Sequence, residues 1–316
     1  MRIVFFGTPG FAAASLRALL AERFDVVGVV TQPDRPQGRS RSTLVPPPVK
    51  SVALEAGLPL LQPEKPVGDV FQASLERLRP DLGVVVAYGH ILRPAVLALP
   101  PRGMINVHAS LLPRLRGAAP IQWAIAAGEA ETGVSIMQME AGLDSGPVYL
   151  REATPIGMEE TGGELTERLA ELGAGTLCTA LRRLARGELR PEPQDHAAAT
   201  YAPKIDRATA RLDWTAAAGA VARRVRAFDP APGAWTTLEG QEVKLFRAAV
   251  RTDRATADAA PGSVLAVGDT LLVAAGTHDG AAHAVEVREV QPAGKRRIAV
   301  AEWARGRGVA AGQQFA

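Results

Sequence analysis

Asn106 and His108 stand two residues apart at the end of the apolar run MINVH, within INVHASLLPRLRGAAPI (105–121). On a strand that spacing directs both side chains to one side, so an amide donor and an imidazole can address a single carbonyl. Each residue taken alone is equally well explained as a strand-end hydrogen-bonding partner. Further on, GVSIMQMEAGLDSGPV (133–148) reads as an apolar strand leading into a glycine-flanked turn that carries Asp144. Gly142 and Gly146 let the backbone tighten around that carboxylate, which can orient an imidazole or accept a proton through water. An aspartate in such a turn also commonly bonds its own backbone. The five histidines, at 90, 108, 196, 278 and 283, show no metal-ligand spacing with cysteine or with paired carboxylates. The single cysteine, Cys178, lies in the apolar helical run TLCTALRRLA and is read as a buried structural thiol.

The elements that must position these groups alternate between strand and helix. RIVFFG (2–7) is a first strand, a helix runs to Leu20, and DVVGVVT (25–31) is a second strand. DLGVVVAYG (81–89) and MINVH (104–108) are further short β-branched runs ending in polar residues or glycine. The pattern predicts an α/β domain on a mostly parallel, Rossmann-like sheet. Ligands of such sheets bind beyond the carboxyl ends of the strands. Between the second strand and its helix, QPDRPQGRSRSTLVPPP (32–48) holds five prolines and is too long for an ordinary connection, which marks it as a basic functional loop. From about residue 160 to 188 an amphipathic helix is predicted, interrupted near Gly173 and Gly175. Residues 191–206, rich in proline and alanine, are expected to link this 1–190 catalytic domain to a 207–316 module. There a helix over WTAAAGAVARRVRAF precedes short strands such as EVKLFRAAV, GSVLAVG, TLLVAAG and AVEVREV, which predict a small, OB-like β-barrel.

With 316 residues, 47% hydrophobic and 22% charged, the chain has room for two domains with a sizeable core. No apolar run reaches the ~18 residues of a membrane span, and MRIVFFGTPG reads as a core strand rather than a secretory signal, so the cytoplasm is the expected compartment. Residues 201–316 carry 16 Lys and Arg against 12 Asp and Glu, while residues 1–200 carry 20 against 21. A basic second module suits a phosphate-rich partner. A dinucleotide-binding dehydrogenase is disfavoured, because Gly7 and Gly10 do not make G-x-G-x-x-G and no acidic residue closes DVVGVVT.

Taken in order, Asn106-Val-His108, Ser110-Leu-Leu-Pro113, Arg116-Gly-Ala-Ala-Pro120 and Gly142-Leu-Asp144-Ser-Gly146 resemble the motifs of the folate-dependent formyltransferases. The opening FFGTPGFA, the loop TQPDRPQGR, the run VVVAYGHIL, and YAPKI and QPAGK in the second module resemble the branch of that family acting on tRNA. The resemblance implies formyl transfer from 10-formyltetrahydrofolate to the α-amino group of initiator methionyl-tRNA, by a monomer without a metal. An amine on a sugar nucleotide is the alternative acceptor. It further implies that Asn106, His108 and Asp144 are the catalytic set, with Asn106 and a cationic His108 donating to the formyl oxygen. Ser110, Leu111, Leu112 and Pro113 would then border the folate, as would Tyr88, Gly89, His90, Ile91 and Leu92. Arg39 and Arg41 of the loop, with Lys204, Lys295 and Arg296, are the candidate grips on tRNA. Arg223, Arg224 and Arg297 are weaker ones.

Overall fold

The computed structural model describes residues 1–37, 43–255, 259–277 and 283–316, so Arg39, Arg41 and His278 lie outside the described residues. The chain forms two compact units. One comprises Met1–Gly117, Thr132–Thr154 and Thr166–Ala202, the other Ala118–Glu131, Pro155–Leu165 and Pro203–Ala316.

In chain order the first elements are β1 (Arg2–Gly7), α1 (Gly10–Ala21), β2 (Asp25–Val30), and a hairpin of β3 (Arg35–Gln37) with β4 (Thr43–Val45). There follow α2 (Pro48–Glu55), β5 (Leu60–Leu61), α3 (Asp69–Leu78), β6 (Leu82–Val86), α4 (Pro94–Leu97) and β7 (Met104–His108). After α5 (Pro120–Ala127) come β8 (Glu131–Gln138), β9 (Val148–Pro155) and α6 (Gly162–Ala185). Seven strands join in the order β5-β2-β1-β6-β7-β8-β9. The β5-β2, β2-β1, β1-β6 and β6-β7 pairs are parallel, and β7-β8 is antiparallel.

A sheet covered on both faces needs strands apolar at every position, and β1 shows it. Ile3 and Phe5 enter one core with Leu16 and Leu19 of α1, Val52 of α2 and Leu177 of α6. Val4 and Phe6 enter the opposite core with Phe71 and Leu75 of α3 and Val96 of α4. The same pleat places Ile105 and Val107 of β7 in the first core and Met104 in the second, so Asn106 and His108 fall on the Met104 side.

Helix α6 runs unbroken through both glycines, contrary to the expected interruption. Gly173 is a contact position: a Cβ there would lie 3.1 Å from Val107 Cγ1 and 3.5 Å from Val134 Cγ1. Burial of Leu165, Leu169, Leu177 and Leu181 outweighs the ~1 kcal/mol that a helical glycine costs relative to alanine. The helix starts with a capping box, in which the Thr161 amide and hydroxyl both donate to Glu164 Oε2 (2.9 and 2.8 Å) and the Glu164 amide donates to Thr161 Oγ1 (3.3 Å).

Much of the segment expected as a linker is bound to the first unit. Glu192 exchanges both backbone hydrogen bonds with Val148 (2.8 and 2.9 Å), Gln194 is buried, and Tyr201 bridges to Arg116 in parallel. Its prolines and alanines carry no periodicity, so these pairings have no local signature.

In the second unit, α7 (Ala218–Ala227) is followed by β10 (Ala234–Leu238), β11 (Gln241–Ala255), β12 (Val264–Val267), β13 (Leu271–Ala274), β14 (His283–Pro292), β15 (Ile298–Ala299) and α8 (Val300–Arg305). The antiparallel order is β10-β11-β14-β13-β12. Residues near the end of the chain close it: Phe315 bridges Leu238 of β10, and Gln314 bridges Ser263 just before β12. Closure removes the free edges of an open sheet, as a small barrel requires.

Candidate active site

Strands β6 and β7 lie side by side in the parallel part of the sheet, and the segments leaving their carboxyl ends carry most of the predicted site residues. Asn106 is half-buried, and its side-chain amide makes no hydrogen bond among the described residues. Its donor is open to a ligand. His108 is 5% exposed. Its Nε2 sits 2.9 Å from the Leu115 carbonyl and its Nδ1 3.6 Å from Asp144 Oδ2. A carbonyl oxygen can only accept, so Nε2 carries a proton. Nε2 is therefore taken by the Leu115 carbonyl, while Nδ1 faces the Asp144 carboxylate beyond hydrogen-bond distance.

Asp144 sits in the turn between β8 and β9 with a left-handed φ of +47°. The Gly117 amide donates to its Oδ2 at 2.8 Å, which leaves Oδ1 open. Gly117 has φ +120°, and a Cβ there would fall 2.7 Å from the Ala202 carbonyl oxygen, so only glycine lets this amide approach the carboxylate. Behind the turn, Gln194 Nε2 donates to the carbonyls of Asp144 (2.9 Å) and Gly146 (2.6 Å). Gln194 Oε1 in turn accepts from Arg116 Nη2 (2.7 Å) and Nε (3.1 Å), and Arg116 Nη2 lies 3.1 Å from His196 Nδ1. The Arg116 backbone is pinned as well, its amide donating to the Thr200 carbonyl and its carbonyl accepting from the Ala202 amide. Arg116 lies inside a motif legible in the sequence, but Gln194 is fifty residues from Asp144 and has no local signal.

The SLLP stretch shapes the loop after β7. Ser110 Oγ donates to the Arg114 carbonyl (2.6 Å), and its own carbonyl accepts from Ser135 Oγ (2.7 Å), so this hydroxyl is committed to the protein. Leu112 packs with Met137 and Val148, its amide donates to Ser135 Oγ, and its carbonyl accepts from Arg151. Leu111 and Pro113 are half-buried. After β6, Tyr88 and Leu92 belong to the core, Gly89 is exposed, and Ile91 stands 91% exposed. The buried Tyr88 hydroxyl and His90 Nε2 have no hydrogen-bond partner, and their ring centroids lie 5.4 Å apart with the planes tilted by 59°. Burial pushes the Tyr88 hydroxyl up to about 12, which keeps it a donor at neutral pH.

Of the candidate tRNA grips, Lys204, Lys295 and Arg296 are exposed, with Arg296 also paired to Glu302 at 3.1 Å. Arg297 turns inward to Asp229 (2.6 Å) and Glu289 (2.5 Å) and stacks over Phe246. Arg224 donates to the Thr209 carbonyl and lies over Phe228, and Arg223 donates to the Ala126 carbonyl at 3.4 Å. These three arginines are held within the second unit, unlike the exposed trio. Among the described residues, no group of three or more His, Cys, Asp or Glu could hold a metal ion, and no helix is long and apolar enough to cross a membrane.

Two family models match the chain, formyl transferase over residues 1–181 and formyl transferase, C-terminal domain, over residues 204–308. A methionyl-tRNA formyltransferase from Aromatoleum aromaticum is 48% identical over 316 residues, 100% of this chain and 97% of its own. One from Stenotrophomonas maltophilia is 52% identical over 307 residues, 96% of each chain. HypX from Aquifex aeolicus, solved in complex with tetrahydrofolic acid, superposes with a TM-score of 0.64 at 24% identity, over 96% of this chain and 46% of that one. An N-formyltransferase from Helicobacter canadensis, solved with folinic acid and dTDP-3-aminofucose, gives 0.67 at 14% identity, over 90% and 98%. These two share the fold, whereas the full-length relatives place the chain more narrowly. The chain belongs to the formyl transferase family, among relatives that are methionyl-tRNA formyltransferases.

Proposed function

We propose that Asn106, His108 and Asp144 carry the transfer of a formyl group from 10-formyltetrahydrofolate to the α-amino group of initiator methionyl-tRNA, giving N-formylmethionyl-tRNA and tetrahydrofolate. The observation that supports this most is the meeting of an unpaired Asn106 amide with a His108–Asp144 pair 3.6 Å apart, from two distant segments, at the end of one strand. The folate supplies an activated formyl group. Exposed Ile91 and Gly89 offer it an apolar edge beside the strand end.

Attack by the neutral amine forms the new C–N bond and sends the carbonyl electron pair onto the formyl oxygen. Asn106 donates a hydrogen bond to that oxygen, and the adjacent His108 ring helps stabilise its charge. Asp144 faces His108 and, through the open Oδ1, takes the proton that the amine sheds, directly or through water. A free α-amino group titrates at about 7.7–8.0, so a useful fraction is neutral near pH 7 and a carboxylate is base enough. The oxyanion pair then re-forms the C=O, the C–N bond to the folate breaks, and the departing nitrogen takes back, directly or through water, the proton Asp144 had accepted.

Replacing Asn106 or Asp144 by alanine tests these roles. Loss of the Asn106 donor is expected to lower kcat about 100- to 1000-fold with the fold intact, and Asp144→Ala to lower it comparably. Near wild-type turnover at saturating substrates in either variant would refute the assignment.

A further inference from the structure

Arg116 is a buried cation without a carboxylate within salt-bridge distance among the described residues; it is 4% exposed. Burying a guanidinium against neutral partners is costly, and a fold that merely needed to fill this space would do better with an apolar side chain. The partner it has chosen is Gln194 Oε1, gripped from both Nε and Nη2. The other end of that same amide donates to two carbonyls of the turn that carries Asp144.

We infer that Arg116 and Gln194 are positioning residues for the transfer reaction, acting through Asp144. This rests on the catalytic role of Asp144 set out above. The cation polarises the Gln194 carbonyl, which strengthens the two N–H donations from the far side of the amide. Those donations fix the carbonyl of Asp144 itself and that of Gly146 two residues on, restraining the left-handed Asp144, whose strained φ needs external restraint. With its backbone held, the carboxylate stays on the Gly117 amide and against His108 Nδ1. Arg116 and Gln194 are only 4% and 5% exposed, so the relay sets the geometry of the base and not the affinity for folate or tRNA.

Gln194→Glu is the sharpest probe. A carboxylate still accepts from Arg116, as an ion pair, but has no N–H to give the two carbonyls. Gln194→Met removes both contacts at nearly the same volume. We expect each to lower kcat about 10- to 100-fold, the range for displaced catalytic geometry, with KM for 10-formyltetrahydrofolate and methionyl-tRNA changed less than about 2-fold. Each is then combined with Asp144→Asn. If Gln194 works through Asp144, the double variants turn over within about 2-fold of Asp144→Asn alone. An unchanged kcat in Gln194→Glu, or the same fractional loss with and without Asp144, would overturn the relay. Near wild-type activity of Asp144→Asn itself would remove the catalytic reading beneath it, an outcome distinct from failure of the relay alone. Should Gln194→Met fail to fold, Gln194→Glu retains the Arg116 pairing and still decides the question.

Discussion

At the scale of single residues, the chemistry divides into groups left open and groups used up. The Asn106 amide and Asp144 Oδ1 are open, whereas Nε2 of His108 and the hydroxyl of Ser110 are engaged. Cys178 is neither, because it is 1% exposed and burial pushes its thiol up to about 11. A thiol-alkylating reagent at pH 8 is therefore expected to leave Cys178 unmodified in the native protein and to modify it fully after denaturation. Labelling of the native protein at the denatured rate would contradict this. The three catalytic candidates and the fate of Cys178 are legible in the sequence, because spacing on a strand and apolar surroundings are local properties. The division of labour at His108 is not. It depends on Leu115 turning its carbonyl back toward the ring, at a positive φ of 57°, which no residue type announces.

The elements show the same boundary between what is local and what is not. β1, β2, β6 and β7 appear as apolar runs because both faces of a parallel sheet are covered, and that pattern survives without knowledge of partners. The two α6 glycines look alike in sequence yet differ in the fold. Gly173 faces Val107 and Val134, while nothing lies within 4 Å of a Cβ at Gly175. Gly173→Val is expected to destabilise the protein by about 1–3 kcal/mol through overpacking and to depress kcat, since Val107 lies between Asn106 and His108. Gly175→Ala is expected to stabilise it by up to about 1 kcal/mol from helix propensity alone. Thermal melts of the two variants check the pair, and equal shifts would contradict the contact assigned to Gly173.

The capping box gives this helix a pH dependence. Hydrogen bonds from the Thr161 backbone and then its hydroxyl hold the Glu164 carboxyl below its ordinary 4.5. A depressed folded value adds stability above the unfolded value near 4.5, and that stability is lost as pH falls through the folded value. Glu164→Ala should therefore cost at pH 7, by about 1 kcal/mol or less given its solvent exposure, and the gap in Tm from the parent protein should narrow as pH falls below 4.5. A gap that widened on acidification would contradict the box.

On the scale of the whole molecule, the α/β unit with its mixed edge and the closed six-stranded barrel agree with the architecture expected from strand and helix periodicity. The Gly-, Pro- and Asp-punctuated strands foretell the barrel, although its closure by Gln314 and Phe315 is a pairing across some fifty to eighty residues of chain and invisible locally. The tether of residues 191–202 to the first unit is likewise a long-range pairing, and it is the one that brings Gln194 to the Asp144 turn. Fold likeness alone does not choose the acceptor, because an N-formyltransferase crystallised with a dTDP-amino sugar superposes with a TM-score of 0.67 at 14% identity, against 0.64 for HypX. Identity of 48% and 52% along almost the whole chain favours methionyl-tRNA. The central claim is tested most directly by mixing the full chain with 10-formyltetrahydrofolate and, separately, methionyl-tRNA or a nucleotide-linked amino sugar, and following tetrahydrofolate release. Release with methionyl-tRNA alone is the predicted result; release with the amino sugar and none with methionyl-tRNA would contradict it.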